Sequence, residues 1–139
     1  MRVPALGLLL LALAATGAGA AELVITVENI RNAKGEMRVS VYSSPAEWPD
    51  KSASDHDQAQ KARTGSVVFR FNLPPGTYAA NGLHDENGNG KMDTNFLGIP
   101  EEGYCFSNNA RPVLSAPSFE SASFKLPAAG AAITMRMRY

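Results

Sequence analysis

The chain has 139 residues, with 13 basic and 13 acidic side chains and a formal charge of zero. That balance gives no electrostatic basis for binding nucleic acid or an anionic membrane. A single cysteine, Cys105, excludes an intramolecular disulfide, and the length suits one domain around one core.

Residues 1–20 read as an export signal. Arg2 supplies a positive start, residues 6–15 an apolar run, and Ala18-Gly19-Ala20 a small-residue cleavage site. The run is too short for a convincing membrane span, and no cysteine follows it for lipid attachment. Cleavage after Ala20 leaves one domain, residues 21–139, with a formal charge of −1. The expected address is the periplasm or the medium, and the expected partner another envelope or extracellular component.

Leu23, Ile25 and Val27 alternate with Val24, Thr26 and Glu28, the period of a strand. After the turn Asn32-Ala33-Lys34-Gly35, Met37, Val39 and Val41 alternate with Arg38, Ser40 and Tyr42. The two runs read as a hairpin. Ser44-Pro45-Ala46-Glu47 has the form of a capping box with proline at the first helical position, which predicts one helical turn before Pro49. Trp48 beside it reads as a plug on the core, and the polar stretch from Asp50 to Arg63 as a solvated loop.

Val67, Phe69 and Phe71 mark a third strand, Leu73-Pro74-Pro75-Gly76 a tight turn, and Tyr78 to His84 a fourth strand. Ala122, Phe124 and Leu126 suggest a fifth, and Ile133, Met135, Met137 and Tyr139 a last one. The aliphatic and aromatic members of these alternating sets, from Leu23 to Met137, are expected to be buried. The fold class is therefore all-β, an antiparallel sandwich of six to seven strands with one long ordered loop.

That loop begins at Asp85. Asp85-Glu86-Asn87-Gly88-Asn89-Gly90-Lys91-Met92-Asp93 places side-chain oxygens at positions 1, 3, 5 and 9, with glycine at 6. Calcium takes roughly six to eight oxygen ligands, and a loop supplies them from alternate positions if a glycine permits the curl. Asp85, Asn87, Asn89 and Asp93 are the expected ligands, with the Lys91 carbonyl joining them and Met92 turning inward as an anchor. Glu101, Glu102 or water would complete the shell. Asn-Gly pairs are also hairpin-turn chemistry, but carboxylates at both ends of the nonapeptide fit a cation better. An EF-hand needs Glu at position 12, where this chain has Phe96.

From Asp85 to Phe119 no period is sustained. Such a length needs something to hold it: the metal, and Phe96, Leu97, Ile99, Tyr104, Phe106, Val113 and Leu114 packed beneath. His84 is placed to bond the loop from below. Asn108, Asn109 and Arg111 could meet a sugar or a peptide carboxylate, although amide side chains in such a run more often satisfy their own backbone. Cys105 reads as a buried inert thiol.

Catalysis is the competing reading. A site under the loop would draw on His84, Glu101, Glu102 and Tyr104. A Ser-His-Asp arrangement through His84 and Asp85 is disfavoured, because strand neighbours point to opposite faces. His84 and Cys105 alone do not make a zinc site.

Three resemblances add to this. The nonapeptide resembles the D-x-D-x-D-G-x-x-D calcium loops of integrin-type propellers and thrombospondin repeats, with two aspartates replaced by asparagine, which implies weaker binding. The passage from Phe69 to Tyr78, which carries F-N-LPPG-T-Y, resembles with a one-residue offset the turn of prealbumin-like and collagen-adhesin B-type sandwich domains. Prealbumin-like hydrolases of ureide rings use a C-terminal Tyr-Arg-Gly-Ser that this chain lacks. Finally, LPPGTYA at 73–79, HDENGNGKMDTNFLGIPEEGY at 84–104 and FSNNAR at 106–111 resemble a bacterial exported family, domain of unknown function 2141. That resemblance implies an exported β-sandwich and assigns no activity.

Overall fold

A computed structural model describes residues 19–50, 54–94, 97 and 101–139. Residues 1–18, the body of the expected signal, lie outside these, as do Phe96 and Ile99. The strands are β1 (Ala21–Ile30), β2 (Glu36–Tyr42), β3 (His56–Lys61), β4 (Gly65–Leu73), β5 (Gly76–Asp85), β6 (Tyr104–Phe106), β7 (Phe124–Leu126) and β8 (Ala131–Arg136). A 3-10 turn follows β6 at Ser107–Asn109, and a single helical turn, α1, spans Phe119–Ala122.

Two sheets form a sandwich. One runs β4-β1-β8; the other runs β3-β2-β5-β6, with β7 also on β5. The period-two patterns determine which face of each strand is inside. Leu23, Ile25, Val27, Val67, Phe69 and Phe71 from one sheet meet Met37, Val39, Val41 and Cys105 from the other in one core. Met135 and Met137 are buried with them, while Ile133 is only half-buried at the margin. Full burial of each large side chain is worth roughly 1.5–3 kcal/mol, so these faces fix the register.

The strands pair differently from the sequence expectation in two respects. β1 and β2 are not a hairpin: β1 pairs with β4, Ile25 opposite Phe69, and β2 pairs with β5, Val39 opposite Gly82. The turn at Asn32–Gly35 therefore crosses from one sheet to the other. Gly35 makes the crossing possible, because its φ is +65° and a Cβ there would stand 2.0 Å from the Asp85 carbonyl oxygen. Second, β8 lies parallel to β1, Ile25 beside Ile133, in a sandwich whose other ladders are antiparallel. A strand entering the last free place beside β1 takes the direction its connection dictates.

The polar stretch expected to be a solvated loop contains β3. Its sequence, His-Asp-Gln-Ala-Gln-Lys, has no apolar face, and the strand is mostly exposed. It forms because its backbone pairs with β2 and its side chains close the sandwich edge. Gln58 Nε2 donates to the Arg70 carbonyl and Gln60 Nε2 to the Val68 carbonyl, each at 2.7 Å. Both acceptors belong to β4, the edge of the opposite sheet, so neither edge offers a bare row of backbone groups.

Ser44 to Glu47 forms turns, not a helix. Trp48 does act as a plug. Its ring meets Tyr42, Phe106 and Phe119 edge-on at 5.2, 5.9 and 6.2 Å, and its indole N–H donates to the Pro117 carbonyl at 2.7 Å. α1 begins where only coil was expected, capped by Ser118. Of the apolar anchors expected under the long loop, Tyr104 and Phe106 are half-buried, but Leu97, Val113 and Leu114 are exposed.

Candidate functional site

β5 carries the chain into the loop with His84 and Asp85 both fully buried. Asp85 organises the first turn of the loop. Its Oδ1 accepts the Asn89 N–H at 3.1 Å and its Oδ2 the Gly90 N–H at 2.7 Å. Arg38 Nε stands 3.5 Å from Oδ2. Gly88 and Gly90, at φ of +71° and +77°, provide the curl.

The next ligands expected from the sequence are interlocked. Asn87 Oδ1 accepts the Asn89 N–H at 3.2 Å, and Asn89 Oδ1 accepts the Lys91 N–H at 3.0 Å. The amide nitrogens of both asparagines point the other way, onto the Asp93 carboxylate: Asn87 Nδ2 to Oδ2, and Asn89 Nδ2 to Oδ1 at 2.7 Å. Asp85, Asn87, Asn89 and Asp93 are thus drawn into one knot, with their amide oxygens turned to backbone donors and not to a common open centre. Among the described residues no group of three or more His, Cys, Asp or Glu side chains is arranged to hold a metal ion. Met92, expected to turn inward, is half-buried beside Tyr104 and Phe106 and is not part of the core. The period of β5 ends at Asp85, so position 8 of the loop no longer faces inward.

The far end of the loop returns to the knot. The Glu101 N–H donates to the Asp93 carbonyl at 2.8 Å. Glu101 is exposed, but Glu102 is only 7% exposed and its Oε2 has no hydrogen-bond donor. Its carboxyl meets that of Asp93. Loss of solvent, then the adjoining Asp93 carboxylate, and more weakly Asp85 and Glu86, push the Glu102 carboxyl up to about 7. The contact with Glu102, and then the Asn89 and Asn87 amides, hold Asp93 below the usual carboxylate range. Two carboxyl groups sharing one place cannot both ionise without cost.

Under the loop, His84 has both ring nitrogens engaged. Nε2 lies 2.7 Å from the Lys34 carbonyl, which can only accept, so Nε2 carries the hydrogen. Nδ1 accepts from the Tyr139 hydroxyl at 2.7 Å, and that oxygen accepts the Arg31 N–H at 3.1 Å. The Arg31 guanidinium lies 4.3 Å from the Tyr139 ring centre and reaches Glu86 at 2.5 Å. Sequence reading missed Arg31, Arg38 and Glu86, and saw Tyr139 only as a strand residue. No local signal marks them, because their partners are dozens of residues away.

The polar run after β6 serves the fold. Asn108 Nδ2 donates to the Ser123 carbonyl at 2.7 Å, and Asn109 Oδ1 accepts the Arg136 N–H at 3.0 Å. Both asparagines take positive φ. Arg111 is exposed. Tyr104 exchanges backbone hydrogen bonds with Arg138. Cys105 is buried, and burial pushes its thiol up to about 12, which leaves it protonated and unreactive.

Residues 25–134 match the family described as "uncharacterized protein conserved in bacteria", domain of unknown function 2141. The chain belongs to that family. The match begins within β1 and ends within β8, so it contains the whole passage from His84 to Arg111. Tyr139 falls outside it. A comparison with curated proteins and with solved structures finds no match to the chain.

Proposed function

We propose that the chain is an exported, non-catalytic β-sandwich module whose loop from Asp85 to Asp93 binds calcium and thereby stiffens the long connection above the sheet. The observation that carries this reading is the meeting of Glu102 with Asp93. A carboxyl group on a residue only 7% exposed, with one oxygen lacking a hydrogen-bond partner and a second carboxyl beside it, is costly to ionise without a cation. The donor set is hard oxygen throughout, which suits calcium.

The Asn87 and Asn89 side-chain oxygens both accept backbone N–H groups, so calcium binding requires these side chains to turn and give up those bonds. Rotating each side-chain amide by half a turn exchanges its nitrogen for its oxygen. Asn87 and Asn89 would then present carbonyl oxygens where their nitrogens now face Asp93. Asp85 keeps unused lone pairs on both oxygens, since each accepts one backbone N–H. With only two certain charges, Asp85 and Asp93, and Glu102 or water completing the shell, affinity is expected on the order of 10⁻⁴–10⁻³ M, as in extracellular modules. A binding role is favoured over catalysis by His84, which is fully buried with both nitrogens engaged and is not placed to act as a base.

Export rests on the signal-like residues 1–20, and β1 starts at Ala21, directly after the expected cleavage site. N-terminal sequencing of the protein from an expressing bacterium should begin at or near Ala21. Titration calorimetry with calcium, against a magnesium control, tests the metal. Heat from calcium alone supports the site; identical responses to the two ions, or none, reject it.

A further inference from the structure

We infer that Tyr139 is a positioning residue for the metal site: its ring, wedged against Gly103 and tied to His84, sets the Glu102 carboxylate opposite Asp93. The inference rests on the calcium reading of the loop and adds a residue outside both the nonapeptide and the family match.

Glu102 lies at the end of the long connection, where nothing in its own sequence fixes its direction. The residue after it supplies the constraint. A Cβ at Gly103 would stand 2.3 Å from the Tyr139 ring, so the ring occupies the space a side chain would take. The Gly103 carbonyl accepts the His84 N–H at 2.9 Å. Tyr104 then exchanges two backbone hydrogen bonds with Arg138, at 3.0 and 2.8 Å. Residues 103 and 104 are therefore held on one side by β5 and on the other by the segment that carries Tyr139.

Tyr139 is itself held from three directions. Its hydroxyl donates to His84 Nδ1 and accepts the Arg31 N–H, and the Arg31 guanidinium covers the ring. That guanidinium is anchored by Glu86, the second residue of the loop. His84 is the common point. Its backbone holds Gly103, next to Glu102; its ring holds Tyr139; and its chain neighbour is Asp85. The two ends of the metal loop are set against each other through one buried histidine and one tyrosine. The arrangement has the logic of outer-shell groups that aim ligands without touching the ion.

The test is calcium titration calorimetry on the wild type, Tyr139→Ala, Tyr139→Phe, Glu102→Gln and the double variant Tyr139→Ala/Glu102→Gln, with circular dichroism confirming that each is folded. Loss of a group bonded directly to a ligand typically weakens metal binding about 10–100-fold; Tyr139 touches the chain neighbours of Glu102 and Asp85 and not the carboxylates, so Tyr139→Ala should fall at the low end, about 10-fold. Tyr139→Phe keeps the wedge and loses only the hydroxyl, so its loss should be smaller. In the Glu102→Gln background, Tyr139→Ala should add little, because the residue it positions is already disabled. Gly103→Ala, which pushes the ring from its place, should reproduce the loss if Tyr139→Ala does not fold. Wild-type affinity in Tyr139→Ala or in Gly103→Ala, or a loss that adds in full to that of Glu102→Gln, overturns the positioning role while leaving the calcium site standing. A wild type that binds no calcium overturns both.

Discussion

Two connections leave the five-stranded sheet, residues 43–55 between β2 and β3 and residues 86–103 between β5 and β6, and they are held in opposite ways. The first is held by Trp48, whose ring covers Tyr42, Phe106 and Phe119 and whose N–H has an acceptor. Its ring is packed and its indole N–H satisfied, although the ring is half-buried and Glu47 Oε2 in the same connection is buried without a hydrogen-bond partner. The second is held by polar groups around Asp85 and Asp93, and it brings the Glu102 carboxyl, one of whose oxygens has no hydrogen-bond partner, beside that of Asp93. Among the described residues each connection buries one unpartnered carboxylate oxygen, and what sets the second apart is the further carboxyl beside it.

The largest expected effect breaks the first connection. Trp48→Ala should lower folding stability by about 3 kcal/mol, the low end for a large aromatic because the ring is only half-buried. Urea unfolding measures it, and the calcium-induced gain should survive the substitution. A variant that also loses calcium binding would show that the two connections are not independent.

The second effect concerns protons at Glu102 in the metal-free protein. Its carboxyl titrates near 7 in the folded state against an ordinary value of 4.5. The folded chain therefore holds more protons than the unfolded chain between those values. Stability should fall as pH rises through that window and level off above it. At about 1.4 kcal/mol per pH unit the loss is bounded at roughly 3 kcal/mol. Urea melts at pH 4.5 to 8 in a calcium chelator check it, and Glu102→Gln should flatten the decline.

Calcium itself should come next. At a hundredfold excess over its dissociation constant it should stabilise the fold by about 2.7 kcal/mol. Asp85→Ala should abolish that gain, and Asp93→Ala nearly so. Asn87→Asp should strengthen binding by adding charge to the shell. An unchanged melt of the wild type in millimolar calcium would reduce the nonapeptide to a glycine-rich turn. The smallest effect returns to the tryptophan: Trp48→Phe keeps much of the packing and removes the bond to Pro117, at a cost of about 1 kcal/mol beyond the lost ring area.

The same two connections show where local pattern suffices. Trp48 stood out as a plug because a lone large aromatic in a polar stretch has few other uses. The residues from Asp85 to Asp93 stood out by their spacing. Glu102 was visible only as one of two adjacent glutamates, since burial decides between them and burial is not written in the pair. β3 was invisible because His56–Lys61 buries no apolar face; its stability comes from the ladder to β2 and the glutamine bonds to β4.

Alternation is a property of one strand at a time, so the sequence by itself determined the all-β class, the inward faces of β1, β2, β4 and β8, and the nonapeptide's run of oxygens. Pairing is a property of two strands that can be far apart, and only the tertiary structure decided it. It sent β2 to the opposite sheet from β1, laid β8 parallel to β1, and brought Tyr139 to His84 across 55 residues. The reason is physical. A period of two says which side of a strand seeks the core, but the core accepts that side in either sheet and either direction. Connection geometry and close approaches such as those at Gly35 and Gly103 make the choice.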